Sequence, residues 1–219
     1  MKKTTGLSVQ AYRKFKDALM TRNIALGATM TQSDLADTLS VSVSPLRDAL
    51  KILESEGFVE VLPRSGIKIA EPDIDFIKNC YQLRRIIEEP ALLKFSEQCS
   101  QEELDQIKQA HLDLLAGCDE KLVNTDPLFQ RARELDADFH VRMVRSLDNP
   151  FIDSIYRTNQ ERSLLVRLRL NKAATSHYVS VTLKEHIMTI DALMEGDVEK
   201  ARLAHLDHLD KAIQRSMGF

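Results

Sequence analysis

The stretch of sequence that decides the fold is residues 31–70, which read TQSDLADTLSVSVSPLRDALKILESEGFVEVLPRSGIKIA. Apolar residues recur in this stretch at helical spacing in two groups: Leu35, Ala36 and Leu39, then Leu46, Ala49, Leu50 and Leu53. The short segment 40–42 separates the two groups and contains two serines around one valine. The spacing therefore predicts two helices joined by a tight turn.

Proline and glycine mark the limits of the second helix and of a hairpin that follows it. Pro45 lies in the first turn, where a missing N–H is tolerated, and Gly57 lies where a left-handed residue ends a helix. Residues 58–62 and 67–70 then alternate around a Pro-Arg-Ser-Gly turn, which predicts a β-hairpin. Helix, turn, helix and hairpin in this order are typical of a winged helix-turn-helix, whose second helix enters the major groove of DNA.

The same residues resemble the DNA-binding domain of GntR-type bacterial repressors. The similarity covers LADTLSVSVSPLRDALKILESEGFVEVLPRSGIKI without a gap and implies a sequence-specific DNA-binding protein. This chain has Ser40 where the family usually has glycine, and Val43 where the family often has arginine. The second difference removes a cation that commonly contacts DNA, so the resemblance does not carry the family's operator preference over to this chain.

Five residues are predicted to contact DNA. Ser44, Arg47 and Lys51 follow one another at spacings of three and four on the side of the recognition helix opposite its leucines. Such a polar face is often merely solvated, but in this motif it is the face offered to the groove. Arg64 and Gly66, at the tip of the hairpin, suit contacts with phosphate or with the minor groove.

Composition favours a cytoplasmic, mostly helical protein. The 219 residues, 43% hydrophobic and 29% charged, fit one large or two small domains. Residues 1–70 contain ten Lys/Arg and seven Asp/Glu, and the remainder contains 20 and 26, so a basic module precedes an acidic one. The net charge of −3 argues against a nonspecific nucleoid-type DNA binder.

No apolar run reaches the roughly 20 residues that span a membrane. The three cysteines lack metal-ligand spacing and are expected to be core residues in a reducing compartment: Cys80, Cys99 and Cys118.

The remainder of the chain is helical in pattern almost throughout. Periodicity and breaks predict six helices near residues 74–98, 101–118, 127–147, 150–171, 176–194 and 198–217. The segments LRRIIEEPALL, DADFHVRMVRSLDNPFI and KEHIMTIDALMEGDVEKARLAHLDHL resemble landmarks of the FCD domain, the helical effector domain of the FadR branch of GntR regulators. Six helices rather than seven resemble its VanR-like subgroup. The predicted fold is mainly α, with a winged helix-turn-helix over residues 1–72 and an FCD-type six-helix bundle for effector binding and dimerisation over residues 73–219.

Four residues of the bundle form a candidate metal site. Asp136 and His140 are four residues apart and project from one helix face. If the helices that carry His186 and His208 pair antiparallel around the Glu-Gly-Asp turn between them, these two imidazoles lie at nearly the same height. One carboxylate and three imidazoles suit Zn²⁺, Ni²⁺ or another first-row divalent ion. Spacing alone leaves them as ordinary histidines equally well and does not exclude His205; the resemblance to metal-binding FCD domains selects Asp136, His140, His186 and His208.

Arg84 is the candidate effector-binding residue. The resemblance implies that Arg84 faces the effector pocket and binds the carboxylate of a small effector, whereas the alternative is an ordinary pair with Glu88 on a solvated face. The fourth helix of the bundle carries further arginines, and the sequence does not distinguish which points inward: Arg162, Arg167 and Arg169. His111 and His177 have no partners at ligand spacing and are predicted at the surface.

Two functions of different classes follow from these sites. The leading one is a ligand-responsive transcriptional regulator, a homodimeric repressor that binds an operator, a divalent metal ion and a small carboxylate. The alternative is a metal-dependent hydrolase or lyase on a helical bundle, with the metal as Lewis acid. No general base or nucleophile is evident beside the four candidate ligands, and this argues against the enzyme.

Overall fold

The computed structural model describes residues 6–118, 127–169 and 172–218. The chain divides into two compact units, Met1–Asp73 (unit 1) and Ile74–Phe219 (unit 2). The predicted amino-terminal arm and most of the loop predicted over residues 117–126 lie outside the described residues.

Unit 1 has the architecture of a winged helix-turn-helix. Its elements are α1 (Gly6–Met20), β1 (Thr29–Met30), α2 (Gln32–Leu39), α3 (Val43–Ser55), β2 (Val59–Leu62) and β3 (Gly66–Ile69). The two predicted groups of apolar residues in α2 and α3 are buried as expected, together with Phe15, Phe58 and Ile67. The sequence did not predict β1, which pairs with β3 so that the antiparallel sheet has the order β1-β3-β2.

Local sequence signals explain where these helices begin and end. Thr31 caps α2, its side chain accepting from the Asp34 N–H while Asp34 accepts from the Thr31 N–H. Gly57, with φ +83°, follows α3 in the left-handed conformation predicted for it. Ser40 ends α2 with φ +49° and ψ +55°, and therefore adopts a conformation that glycine accommodates more easily.

The hairpin of β2 and β3 is attached to the rest of unit 1 at two points. The Glu54 side chain of α3 accepts a hydrogen bond from the Val61 N–H of β2 at 2.9 Å. Gly66, with φ +107°, begins β3 directly beneath β1, where a Cβ atom would collide with the Met30 carbonyl oxygen. Glycine is therefore required at residue 66 by the packing of the sheet.

Unit 2 contains six helices within the described residues, in close agreement with the predicted pattern. They are α4 (Ile74–Gln98), α5 (Gln101–Gly117), α6 (Pro127–Arg145), α7 (Pro150–Arg169), α8 (Lys172–Met194) and α9 (Val198–Met217). The break predicted over residues 172–175 is wrong, because α8 already begins at Lys172. The core lies between α4, α6, α8 and α9, with Leu92, Phe139, Met143 and Ile190 fully buried. No helix in the described parts of the chain is long and apolar enough to cross a membrane.

Candidate functional site

Three histidines from three helices meet in the interior of unit 2. His140 Nε2 of α6 lies 3.2 Å from His186 Nε2 of α8, which lies 3.4 Å from His208 Nε2 of α9. All three side chains are buried. The antiparallel pairing of α8 and α9 around Gly196 brings His186 and His208 together, and α6 adds His140.

His111 of α5 sets the tautomer of His186. His111 Nδ1 lies 2.8 Å from the Ile107 carbonyl oxygen, which can only accept a hydrogen bond, so Nδ1 carries the proton of a neutral His111. His111 Nε2 is then an acceptor, and His186 Nδ1 donates to it at 3.1 Å. This leaves the lone pair of His186 Nε2 directed at the cluster.

Glu185 and Arg84 set the tautomers of His208 and His140 in the same way. His208 Nδ1 donates to Glu185 Oε2 at 2.8 Å, and the Arg215 guanidinium holds the same carboxylate with two 2.7 Å bonds. Arg84 Nη2 lies 2.9 Å from His140 Nε2, and because arginine only donates, this nitrogen of His140 accepts. The Nε2 atoms of all three histidines are therefore unprotonated, and that of His140 accepts the hydrogen bond from Arg84.

The charge states of the cluster agree with this assignment. Burial lowers the pKa of His111 and His140 below the ordinary histidine value, and lowers the pKa of His186 and His208 well below it. The positive charges of neighbouring histidines would add to the shift at His186 and His208. Near neutral pH the rings are neutral, so no proton lies between the three facing nitrogens.

This arrangement fits a divalent metal ion. Bonds of 2.0–2.1 Å from nitrogen to a tetrahedral zinc place the nitrogens about 3.3 Å apart, which agrees with the observed 3.2 Å and 3.4 Å. Three facing lone pairs repel one another unless a cation lies between them. The Nδ1 atoms of His208 and His186 donate hydrogen bonds to Glu185 and to His111, respectively. Hydrogen bonds of this kind, from the ring nitrogen opposite the metal, orient metal-bound histidines.

Asp136 lies at the edge of the histidine cluster. Its Oδ1 atom is 3.8 Å from His140 Nε2 and 3.7 Å from His186 Nε2, and its Oδ2 atom accepts a hydrogen bond from Arg167. Burial alone would raise the pKa of Asp136, but Arg167 and the neighbouring imidazoles bring it well below its ordinary value. Among the three arginines that the sequence left open, Arg167 is the one that lines the cavity next to Asp136.

Glu88 is a buried carboxylate that joins four helices of unit 2. Its two oxygens accept from Arg84 Nε at 2.6 Å, Tyr156 OH at 2.6 Å and His205 Nε2 at 2.9 Å. His140 Nδ1 also lies 2.9 Å from Glu88, although without hydrogen-bond alignment. Burial would raise the pKa of Glu88, but Arg84 and these histidines keep it well below its usual range. His205 thus binds Glu88 and lies outside the cluster of three facing nitrogens.

A small cavity of about 120 Å³ lies beside the histidine cluster. His208, Asp136 and Arg84 reach its wall, and three more arginines line it: Arg133, Arg167 and Arg215. Its other walls are mostly apolar or aromatic, with Phe129 from α6 and Leu183 from α8 among them, and Thr182 and Ser216 add two hydroxyl groups. A cavity with this lining accommodates a small anion whose carbon skeleton is short.

The residues predicted to contact DNA lie on α3 and on the hairpin of unit 1. Ser44, Arg47 and Lys51 are exposed on α3, and Arg64 is exposed in the turn between β2 and β3. Lys51 pairs with Asp48 at 3.1 Å on the open surface, a contact that contributes little stability. Gly66 lies at the foot of the same turn, at a position where the sheet admits only glycine.

Three interpretations of the sequence need correction. His111 is fully buried and touches the cluster, whereas it was predicted at the surface; His177 is exposed as predicted. Arg84 does pair with Glu88, but the pair is buried and not on a solvated face. Of the cysteines, Cys80 is buried, while Cys99 and Cys118 are half-buried; all three are free thiols.

Both units match models of known families. Residues 7–69 match the model of bacterial regulatory proteins of the gntR family, and residues 79–211 match the FCD domain. The chain is 24% identical over 214 residues to the uncharacterised HTH-type transcriptional regulator YdhC of Bacillus subtilis, covering 94% of this chain and 90% of that protein. It is 21% identical over 216 residues to the HTH-type transcriptional repressor RspR of Escherichia coli, covering 97% and 91%.

A solved structure has the same overall fold. A GntR transcriptional regulator from Rhodococcus sp. RHA1 superposes with a TM-score of 0.76 at 20% identity and covers 98% of this chain and 99% of that chain. The family models, which together cover most of the chain, confirm the resemblance found in the sequence, and the matched relatives are regulators and not enzymes. The chain therefore belongs to the GntR family of bacterial transcriptional regulators, in which a GntR DNA-binding domain is followed by an FCD domain.

Proposed function

We propose that this regulator is a cytoplasmic homodimeric repressor whose affinity for its operator changes when unit 2 binds a divalent metal ion and a small carboxylate. The observation that carries the proposal is the convergence of three imidazole lone pairs beside a cavity lined by arginines. His140, His186 and His208 would hold the ion, with Asp136 as the fourth ligand, and Zn²⁺ or Ni²⁺ suits this ligand set. The six helices described in unit 2 favour the VanR-like subgroup.

Arg84 has a role in both binding events. Its Nη2 atom donates to His140 Nε2, the same lone pair that a metal ion would take. Occupation of that lone pair by an ion would release one arm of the guanidinium, while Arg84 Nε keeps its bond to Glu88. The released arm lies at the wall of the cavity, where it would bind a carboxylate oxygen. The bound ion would supply a second positive charge for the same anion.

The effector is accordingly a small, oxygen-rich acid such as a hydroxy acid, keto acid, sugar acid or dicarboxylate. Arg133 and Arg167 line the same cavity as Arg84, and burial together with the charge of Arg167 lowers the pKa of Arg133. An anion in the cavity would offset this crowding of positive charge. Binding of the anion would shift the balance between dimer forms with high and low DNA affinity, by about 1–3 kcal/mol if the coupling is typical.

The homodimer is proposed because a two-fold operator requires a two-fold protein. Large apolar side chains are exposed on α4 and α7, two helices that pack against each other, and Phe151 is 80% exposed. Ile86, Leu93 and Ile155 are further exposed apolar residues of these two helices. Phe151→Asp should weaken dimerisation in sedimentation experiments, whereas Leu112→Asp, at an exposed residue of α5, should not.

Metal analysis and thermal denaturation of the untagged full-length chain test the proposed binding of the metal ion and the carboxylate. The parent and His177→Gln should contain about one divalent ion per chain, and His140→Gln and His208→Gln should lose it. A panel of small carboxylates should include one that raises the melting temperature of the metal-loaded parent and changes its DNA affinity. Arg84→Lys should abolish this response and keep the metal, while Arg85→Lys, on the exposed face of α4, should respond as the parent does.

Two results would contradict the proposal. One is a parent protein that neither contains a divalent ion after preparation without chelators nor takes one up afterwards. The other is an Arg84→Lys variant whose response to the active carboxylate equals that of the parent. Hydrolase or lyase turnover by the metal-loaded chain would instead favour the enzyme.

A further inference from the structure

The recognition helix α3 exposes a single large apolar side chain. Val43 is the first residue of α3 and has 39% of its surface exposed, whereas Leu46, Leu50 and Leu53 of the same helix are buried. The other exposed residues of this fully described helix are polar or charged. More than a third of this apolar side chain is therefore left uncovered by unit 1 and is open to contact with a partner.

The position of Val43 is the one from which a recognition helix contacts bases. In helix-turn-helix proteins the amino-terminal residues of this helix approach base edges in the major groove. Val43 lies one turn before Arg47 and directly before Ser44, so it belongs to the face proposed to contact DNA. A valine side chain has no hydrogen-bonding group, and the thymine 5-methyl is the apolar group that base edges present in the major groove.

We propose that Val43 determines operator specificity by packing against the 5-methyl group of a thymine in each half-site. The inference rests on the proposed docking of α3 in the major groove and adds the identity of one base to it. The contact is selective because only thymine presents a methyl group in the major groove. Cytosine lacks this methyl group, and the N7 atoms of adenine and guanine would lose water against an isopropyl group without gaining a partner.

Selection from randomised DNA followed by removal of single methyl groups tests the inference. Full-length protein should enrich a two-fold sequence, in which each thymine is then replaced by uracil in turn. One replacement per half-site should weaken binding by the parent about fourfold, the factor that corresponds to about 0.8 kcal/mol for one buried methyl. The same replacement should weaken binding by Val43→Ala less than it weakens binding by the parent. Val9→Ala, at a valine of α1 with 36% exposure, should retain the full sensitivity of the parent.

A second selection uses Val43→Arg. Arginine binds the O6 and N7 atoms of guanine, so the base enriched at the sensitive position should change from thymine to guanine. The inference is overturned if no uracil replacement weakens binding by the parent, or if Val43→Ala loses as much affinity as the parent at the sensitive position. Enrichment of no sequence at all would overturn the docking of α3 itself, a result distinct from an enriched operator that ignores the methyl groups.

Discussion

His111 Nε2 accepts a hydrogen bond from His186 Nδ1 at 3.1 Å, and this contact connects a backbone carbonyl of α5 to the centre of the histidine cluster. Removing the acceptor should release the ring of His186 and leave a buried N–H without a partner. We expect His111→Leu to lower metal affinity about 10- to 100-fold, the usual effect of losing such a partner. Titration with Zn²⁺ or Ni²⁺ against a competing chelator measures the change. His177→Leu, at an exposed histidine, should bind as the parent does; equal affinity of the parent and His111→Leu would refute this role.

The buried histidines should make the metal-free protein sensitive to mild acid. The pKa values of His111, His140, His186 and His208 are lowered in the folded state, so below about pH 6.5 the unfolded chain binds protons that the folded chain does not. The contribution of these histidines to the free energy of unfolding is therefore complete above about pH 6.5 and is lost as the pH falls below this value. Each histidine contributes about 1.4 kcal/mol per pH unit while only its unfolded form is protonated.

Denaturant unfolding of chelator-treated protein between about pH 7.5 and pH 5 measures this dependence. His111→Gln should reduce the slope by the contribution of one histidine, and His177→Gln should leave it unchanged. A free energy of unfolding that stays constant across this range would show that the cluster is protonated or open to water in the folded protein.

Arg47 and Lys51 should differ in what they contribute to DNA binding. If Arg47 binds a base, Arg47→Ala should lower operator affinity by about 1–3 kcal/mol and relax specificity at that position. Lys51→Ala should weaken binding to all sequences and reduce its salt dependence, because Lys51 is free to exchange its surface pair with Asp48 for a phosphate. Arg64→Ala should behave as Lys51→Ala does. Gel-shift titrations at several salt concentrations distinguish the two patterns, and unchanged operator binding by Arg47→Ala would exclude this face of α3.

Ser40→Gly should stabilise unit 1. Ser40 is exposed and has φ +49°, a conformation that costs an L-residue about 1 kcal/mol relative to glycine. Part of this gain is offset by the greater freedom of glycine in the unfolded chain, so we expect a net increase of about 0.5 kcal/mol in the free energy of unfolding. Ser42→Gly is the matched control, because Ser42 has φ −75° and is not strained. This variant should lower the free energy of unfolding by a few tenths of a kcal/mol. A loss of stability in Ser40→Gly would contradict the assigned strain.

Local signals made most of the fold predictable from the sequence. The limits of α3, the hairpin and the six helices of unit 2 follow from glycine, proline and helical periodicity, which act within a few residues. β1 was missed because two residues, Thr29 and Met30, are too short to show a period, and their pairing with β3 depends on a distant strand.

The candidate site was predictable only in part. The wrong placement of His111 was avoidable, because it continues the buried spacing of Leu104, Ile107 and Leu114 along α5. Glu88 also lies at buried spacing along α4, but no local signal indicates which side chains Glu88 or Glu185 contacts. Their roles depend on which side chains of other helices reach them, and a single sequence does not encode that convergence in any local pattern.

The two attachments of the hairpin affect the spacing between the two places where unit 1 would contact an operator. Glu54 joins β2 to the recognition helix, and Gly66 fits β3 beneath the strand that leads into α2. These two contacts restrict how far the hairpin tip that carries Arg64 can move relative to the recognition helix when no DNA is bound. The spacing along the operator between the contact of α3 with the groove and the contact of the hairpin tip with the DNA backbone is therefore set largely by the folded domain. Little conformational entropy is then lost when the domain binds a site that has this spacing.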